Sequence, residues 1–478
     1  MKKQLLLLLT FMSAFAMNAQ ITLVKEINDS GTSSSLPANL FVFNNKIYFA
    51  ADDSSGSNTP TGLDLGKELW ITDGTETGTT IVKDLRPGSD SSSPGSFFEF
   101  NNTMYFSALD GVSTGTVLFS SDGTVAGTNA TGGTFVFNPL EMGGIVYYIL
   151  STDDNALYTF DGTTQVKVAN SGTEHVNFLG ANFASLNGKI IGYGFTATDD
   201  PTIGKELYEY DPATDIYTLI KDIAAGIGDS GISNFTVLGN ELYFEALDRL
   251  WKTDGTESGT IAITPADIFK GTRELFAFDG KILFEGDVAD DTNGDSGGDN
   301  LIAYDPATNT VTNISSFTGN SENHDPSDYA VLGDYLYYRG EEATTTTGHL
   351  FRTNGVTTEL ITNTIKDIDD LAVFDGKLYF EGDDGVSGNE LYSFDPATLS
   401  VGNNQAEIVR VFPNPTSDHI MVSKQLLKAP FAIHDITGKT VKEGIITNER
   451  IDFNLSSGLY LFKVKMELST ITRKIIVK

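Results

Sequence analysis

Short apolar runs separated by polar turns recur along most of this chain. In the clearest stretch, LFVFNNKIYF (residues 40–49) sets two alternating runs on either side of Asn44-Asn45. GKELWITDGTETGTTIVKDL (residues 66–85) sets two more on either side of an Asp-Gly-Thr turn. Period-two alternation rich in aromatic and β-branched residues predicts strands, and turn pairs that tolerate positive φ predict tight hairpins. The unit returns with its second strand at Ile47, Met104, Val146, Ile190, Leu242, Ile282, Leu336 and Leu378, in steps of 57, 42, 44, 52, 40, 54 and 42 residues. The mean step of about 47 lies near the roughly 40–50-residue period of propeller blades.

Each unit reads as four strands, A to D. The A–B turns include Asn44-Asn45, Asn187-Gly188, Asp279-Gly280 and Asp375-Gly376; the C–D turns begin at Asp73, Asp122, Asp161, Asp211, Asp254, Asp305, Asn354 or Asp395. A unit of this length cannot bury its own apolar face, so the units must stack. The expected fold is all-β: a β-propeller of eight four-stranded blades, with seven as the alternative count because the third and seventh units are short and irregular. The last unit lacks a good strand D at LSVGNN (residues 399–404). TLVKEI (residues 22–27) matches TLIKDI (residues 218–223), a strand D, and is expected to complete the last blade and close the ring. Pairs such as Tyr48-Phe49, Tyr243-Phe244 and Tyr379-Phe380 read as packing between blades. Glu68, Glu206 and Glu390 recur at one position of strand C, which favours a structural hydrogen bond over a unique active site.

The turns also predict a working face. A–B and C–D turns are short in nearly every unit. Length varies in the B–C loops (residues 52–66, 199–204 and 287–300) and in D–A connections such as RPGSDSSSPGS (residues 86–96) and AAGIGDSGIS (residues 224–233). In an up-and-down blade these two connections leave at the same end, and variable loops on a rigid scaffold are where function usually sits.

Charge sharpens this picture. The 478 residues carry no cysteine and a net charge of −33, so a disulfide framework and thiol chemistry are excluded. Residues 408–478 hold 11 basic and 6 acidic residues. The region between them and the N-terminal segment holds 18 basic and 58 acidic residues, a net of −40. Such a surface repels phosphate backbones and anionic lipid, which argues against nucleic-acid binding and leaves cations or basic protein patches as charged partners. Solubility alone is the other reading of the same charge. Residues 1–19 have the form of a secretory signal: Lys2-Lys3, an apolar run from Leu5 to Phe15, and Ala14, Ala16 and Ala19 before the expected cut. The run is too short to span a membrane, and no other stretch approaches that length.

After the propeller region (residues 20–401), a polar linker (residues 402–407) leads into VFPNPTSDHIMV (411–422), IHDITGKTVKEG (433–444), LSSGLYLFKV (455–464) and a terminal TRKIIVK. These blocks resemble, in order, the type A sorting domain of the type IX secretion system of Bacteroidetes. The resemblance implies a small Ig-like β-sandwich over residues 408–478, a partnership with the secretion machinery, and a secreted or surface location. The ELW-x-TDGT-x-x-GT units are similar to repeats of large secreted proteins of the same bacteria, a resemblance that implies no activity. Lys flanking the alternating IIV run reads as a guarded sheet edge.

No catalytic constellation emerges. GDSGG (residues 294–298) and GDSG (residues 228–231) mimic a serine-protease string, but none of His175, His324, His349, His419 and His434 lies in a matching context. No sialidase box is complete, and Trp70 and Trp251 both fall in strand C, where packing is their expected role. No blade shows a His, Arg or Glu cluster absent from its siblings. The strongest local signal is DVADDTNGDSGGDN (residues 287–300), with Asp291, Asn293, Asp295 and Asp299 at positions one, three, five and nine of a bendable oxygen-rich loop that suits calcium. It departs from an EF-hand at Ser296 and Ile302, and a solvated acidic loop is the other reading. Otherwise no cofactor is expected. The expectation is a secreted, non-enzymatic propeller that binds an extracellular glycan or protein. A secreted carbohydrate-active enzyme, a glycosidase or lyase, is the alternative.

Overall fold

The computed structural model describes residues 21–399 and 411–478, apart from 30–32, 60–61, 135, 170–174, 264–268, 289–299, 316–323, 343–346, 400–410, 413–414, 423–425, 436–438 and 466–469. Residues 1–20, with the expected signal, lie outside the described residues. Two compact units are present, Ile21–Asp395 and a C-terminal one within Pro396–Lys478.

The first unit contains eight four-stranded antiparallel sheets in chain order: residues 38–83, 95–134, 137–167, 177–221, 233–262, 269–313, 327–362 and 366–394. They are blades 1 to 8, and the eight-blade count holds over seven. Blade 8 contributes only three strands of its own; the fourth is the N-terminal strand Ile21–Lys25, paired antiparallel with Asn389–Phe394. The ring is thus closed by the strand the sequence nominated.

The first strand of each blade is innermost. These inner strands touch their neighbours around the ring, and the pair from blades 6 and 7 meets through Phe276 and Tyr329, whose rings are 5.4 Å apart. Between blades the core is continuous. Ile47, Phe49 and Trp70 of blade 1 pack with Phe374, Tyr379 and Leu391 of blade 8 and with Val24 and Ile27 of the closing segment. Tyr48, Tyr243 and Tyr379, with the Phe that follows each, are all buried. Burying such a side chain contributes roughly 1.5–3 kcal/mol.

The turns follow the sequence closely. Asn44, Asn45, Asn101, Asn102, Asn187 and Gly188 all have positive φ, which fits two-residue hairpins matched to strand twist. The D-G-T-x-x-G-T turn is a closed cage in three copies. In the first, the Thr75 amide and hydroxyl both donate to Asp73 Oδ1, and the Thr72 and Thr79 hydroxyls share a bond of 2.7 Å. Gly74 has φ +86°, and any side chain on it would run into the Tyr379 hydroxyl of blade 8. The motif is therefore turn and blade-packing chemistry.

In the C-terminal unit, a sheet of Val411–Phe412, His419–Val422 and Arg450–Asp452 and a sheet of Pro430–Asp435, Thr440–Ile445, Gly458–Lys465 and Thr470–Val477 share one core, including Ile420, Ile433, Phe462 and Ile475. This is the expected small sandwich, and its Lys-flanked terminal strand lies at a sheet edge.

Candidate functional site

Since all blades are antiparallel in chain order, the B–C loops and D–A connections share one face. Three of those D–A connections are fixed by the recurring glutamates, which are fully buried. Glu68 accepts from the Leu85 amide at 2.8 Å, the Ser92 amide at 3.0 Å and the Ser92 hydroxyl at 2.7 Å. Glu390 accepts from the Ile27 and Asn28 amides at 2.9 and 3.1 Å and from the Ser35 hydroxyl at 2.6 Å. Glu206 accepts from the Ile223 and Ala224 amides at 2.7 and 3.3 Å and from the Ser230 side chain. Each glutamate thus locks its blade to the segment entering the next. Burial outweighs the donors and raises each carboxyl to about 7. Their role is structural, as the repetition implied. The serine partner was missed, although it stands three residues before each following inner strand. Ser230 is the serine of GDSG. It is buried and occupied as a latch, not free as a nucleophile.

A second feature was not legible in the linear sequence. Every inner strand whose bulge is fully described steps around a left-handed residue: Asn39, Ser96, Asn138, Asn234, Glu274, Asp328 or Asp370. The strand register shifts there, as between Ala38 and Phe41 or Asp369 and Ala372. Beside each bulge, on the long-loop side, one pair of residues faces across strands A and B. In blades 1 to 3 the pairs are Ala38–Ala50, Gly95–Ser107 and Phe137–Ile149. In blades 5 to 8 they are Ser233–Glu245, Arg273–Glu285, Ser327–Arg339 and Asp369–Glu381. The expectation that no blade carries a distinctive charged cluster is therefore corrected. The bulge hides the alignment, because residues equivalent in space stand at unequal distances from the turn anchors.

This charged layer is internally bonded. Glu245 accepts from Ser233 at 2.6 Å and Asn234 at 3.2 Å. Arg339 pairs with Asp325 at 3.0 Å and Glu341 at 3.2 Å. Asn389 donates to Glu381 at 2.8 Å. Burial raises Glu381 to about 7, and the charges of Asp369 and Asp370 act in the same direction. Asp328 is raised to about 7 by burial and by Asp369, to which its carboxyl is hydrogen-bonded; two carboxyls can bond only by sharing a proton. The layer can hold a proton between carboxyls and meet a polar or cationic group.

Asp291, Asn293, Asp295 and Asp299 lie outside the described residues. The strands that flank them, Lys281–Val288 and Asn300–Asp305, are strands B and C of blade 6, so their loop is a B–C connection. Among the described residues no group of three His, Asp or Glu side chains could hold a metal ion. Trp70 is buried, and Trp251 donates its indole N–H to the Ala246 carbonyl at 3.0 Å, so both tryptophans are packed as expected.

The C-terminal sandwich carries its own signature. Residues 410–478 match the family of secretion system C-terminal sorting domains. This tail marks the protein for export by the type IX secretion system to the cell surface or the extracellular space, with the secretion machinery as partner. No helix among the described residues is long and apolar enough to cross a membrane. No curated protein matches the chain. Among solved structures it is similar to PorZ, a surface component of the type IX secretion system of Porphyromonas gingivalis, at 12% identity and a TM-score of 0.36, over 92% of this chain and 65% of that one. It is also similar to a structure from a study of two prolyl endopeptidases (11% identity, TM-score 0.44, 90% and 54% covered). A puromycin-hydrolysing peptidase of Mycobacterium tuberculosis matches at 10% identity and a TM-score of 0.42, with 76% and 60% covered. The chain spans less than two thirds of the length of each.

Proposed function

We propose that the protein is an extracellular or cell-surface binding module, without enzymatic activity, whose long-loop face recognises a cation or a cationic partner. The observation that carries this reading is the asymmetry of the ring. Its A–B and C–D turns are short cages, and the opposite face holds the variable acidic loops and the charged axial layer. Rigid scaffold and variable loops are the usual division of labour in binding proteins. The best single metal site in this reading is the calcium loop of Asp291, Asn293, Asp295 and Asp299. An N-terminal secretory signal with cleavage after Ala19 completes the export route.

Calcium titration of the wild type and of Asp291→Ala/Asp295→Ala, read as melting temperature, tests the metal component. A ligand that binds only the folded state raises its stability by mass action. A calcium-dependent rise in the wild type alone supports the site; superimposable curves remove it. Deleting residues 408–478 is expected to hold a folded propeller in the periplasm, and its appearance in the medium would contradict the sorting assignment.

The Asp328–Asp369 carboxyl pair favours one second reading, a glycosidase or lyase with its acid and base in the axial layer. A reducing-sugar assay against a polysaccharide panel separates the two. Turnover abolished by Asp369→Asn would establish the enzyme and end the binding-only account.

A further inference from the structure

Four exposed aliphatic side chains stand on the long-loop face of blades 8, 1 and 2. Val386 is 69% exposed, Leu36 47%, Leu63 64% and Val112 89%. Isolated exposed aliphatics are ordinary. These four are held in place and joined. Val112 and Val386 occupy the same four-residue string, Asp-Gly-Val-Ser, in the B–C loops of blades 2 and 8. In each the leading aspartate accepts from the amides of the valine and the serine: Asp110 at 2.9 and 2.7 Å, Asp384 at 2.8 and 2.8 Å. Leu63 is pinned by its amide and carbonyl to the Thr59 hydroxyl at 3.2 and 2.8 Å. Leu36 has φ +47° and donates its amide to the Asn389 carbonyl of blade 8 at 3.2 Å.

The loops form one continuous arc. Asn28, in the segment that leads to Leu36, donates to Ser54 of the blade 1 loop at 2.8 Å. Gly66, which closes that loop, approaches the backbone of Asp90 and Ser91 so closely that a methyl group would stand 2.8 Å from the Ser91 nitrogen. Arg86 of the same connection lies against Gly111, next to Val112. The two junctions beneath the arc are the Glu390–Ser35 and Glu68–Ser92 latches. The five segments that form it (residues 28–36, 52–66, 84–95, 109–116 and 383–389) contain nine aspartates and one cation, Arg86.

We propose that this arc is a docking surface for an unfolded or extended segment of another protein in which Lys or Arg alternates with aliphatic residues. Fixed aliphatic tips offer apolar contact without an ordering cost on this side of the interface. The surplus of carboxylates supplies charge complementarity and excludes acidic competitors. A neutral glycan has no use for the carboxylates, and an anionic membrane is repelled by them. The proposal rests on the binding reading of the long-loop face and narrows it to one sector and one ligand class. It does not involve the calcium loop of blade 6.

The test uses three fluorescent dodecapeptides, alternating Lys-Ile, Lys-Ser and Ser-Ile, titrated against the secreted chain by anisotropy. Lys-Ile is expected to bind at least about tenfold more tightly than either control, since both apolar burial and charge are needed. Its affinity should fall as salt shortens the Debye length. The variant Leu63→Ser/Val112→Ser/Val386→Ser, whose substitutions lie on exposed tips and leave the aspartate turns intact, should lose that preference and keep the wild-type melting temperature. Equal binding of Lys-Ile and Lys-Ser would overturn the arc and leave a general acidic face standing. Failure of all three peptides would overturn the arc and the cationic-partner reading together. Unchanged Lys-Ile binding by the triple variant would place the contact elsewhere and also sink the proposal.

Discussion

Two kinds of junction alternate around one ring. Blades 8 and 1, 1 and 2, and 4 and 5 are joined by a buried glutamate that gathers two backbone amides and a serine. Blades 3 and 4 are joined by oil. Ala156 stands where the glutamate would, and Val168 and Val176 are buried where the polar latch would sit. Both solutions satisfy the same need, which is to hold the segment that leaves an outer strand and enters the next inner one. The latch satisfies it with direction as well as energy, because three donors converging on two oxygens fix the loop in one path. The polar solution occurs at the seam where the two ends of the chain meet, and at its neighbour beneath the exposed aliphatic arc. A repeated polar residue in a repeat protein is thus first a joint.

The largest effect should come from the seam itself. Removing residues 20–29 takes away a strand, two of the three donors to Glu390 and the partner edge of Asn389–Phe394. An unpaired edge of this kind is a template for association. The truncated protein is expected to aggregate or elute as oligomers on size exclusion. A stable monomer would show that the ring does not depend on its N-terminal strand.

Next in size is the exchange of one junction type for the other. Glu68→Ala leaves the Leu85 and Ser92 amides and the Ser92 hydroxyl without their acceptor, at a cost of about 2–5 kcal/mol. Ala156→Glu buries a carboxyl among aliphatics with no serine to receive it, and a loss of similar size is expected. If Ala156→Glu were neutral in thermal unfolding, the junctions would be interchangeable and the latch would have no specificity.

The pH dependence is smaller and opposite to the usual acidic-protein expectation. Glu68, Glu206, Glu390 and Glu381 are raised from 4.5 to about 7, and Asp328 from 3.8 to about 7, chiefly by burial. Between the unfolded and folded values the folded state binds more protons, so these groups lose stability for the fold as pH rises through about 7 and are most favourable below about 4. The melting temperature is expected to increase from pH 8 to pH 5, and Glu68→Gln should flatten that slope. A melting temperature that falls steadily over this range would mean that the latches are ionised and well paired at neutrality.

Much of this architecture could be read in the sequence, for identifiable reasons. Turn chemistry at Asn44-Asn45 and Asp73-Gly74-Thr75 and the kinship of residues 22–27 with residues 218–223 are local signals, and local signals survive folding unchanged. The serine partners of the glutamates were hidden because a bond across 24 residues, or across the whole ring for Ser35 and Glu390, has no local signature. The charged axial layer was hidden by the bulges at Asn234, Glu274, Asp328 and Asp370, which break the register that alignment relies on. The docking arc was hidden for a third reason: Val112 and Val386 look like any loop valine until their exposure and shared turn geometry are known.

The joint between chain ends carries the account, and a double-mutant cycle on it is the most direct test. Melting temperatures of Glu390→Ala, Ser35→Ala and the double variant would be compared with wild type. If the pair acts as one latch, each single variant lowers stability and the double variant loses little more than Glu390→Ala alone, a coupling of roughly 0.5–3 kcal/mol. Strictly additive losses would contradict the latch and return both residues to independent packing roles.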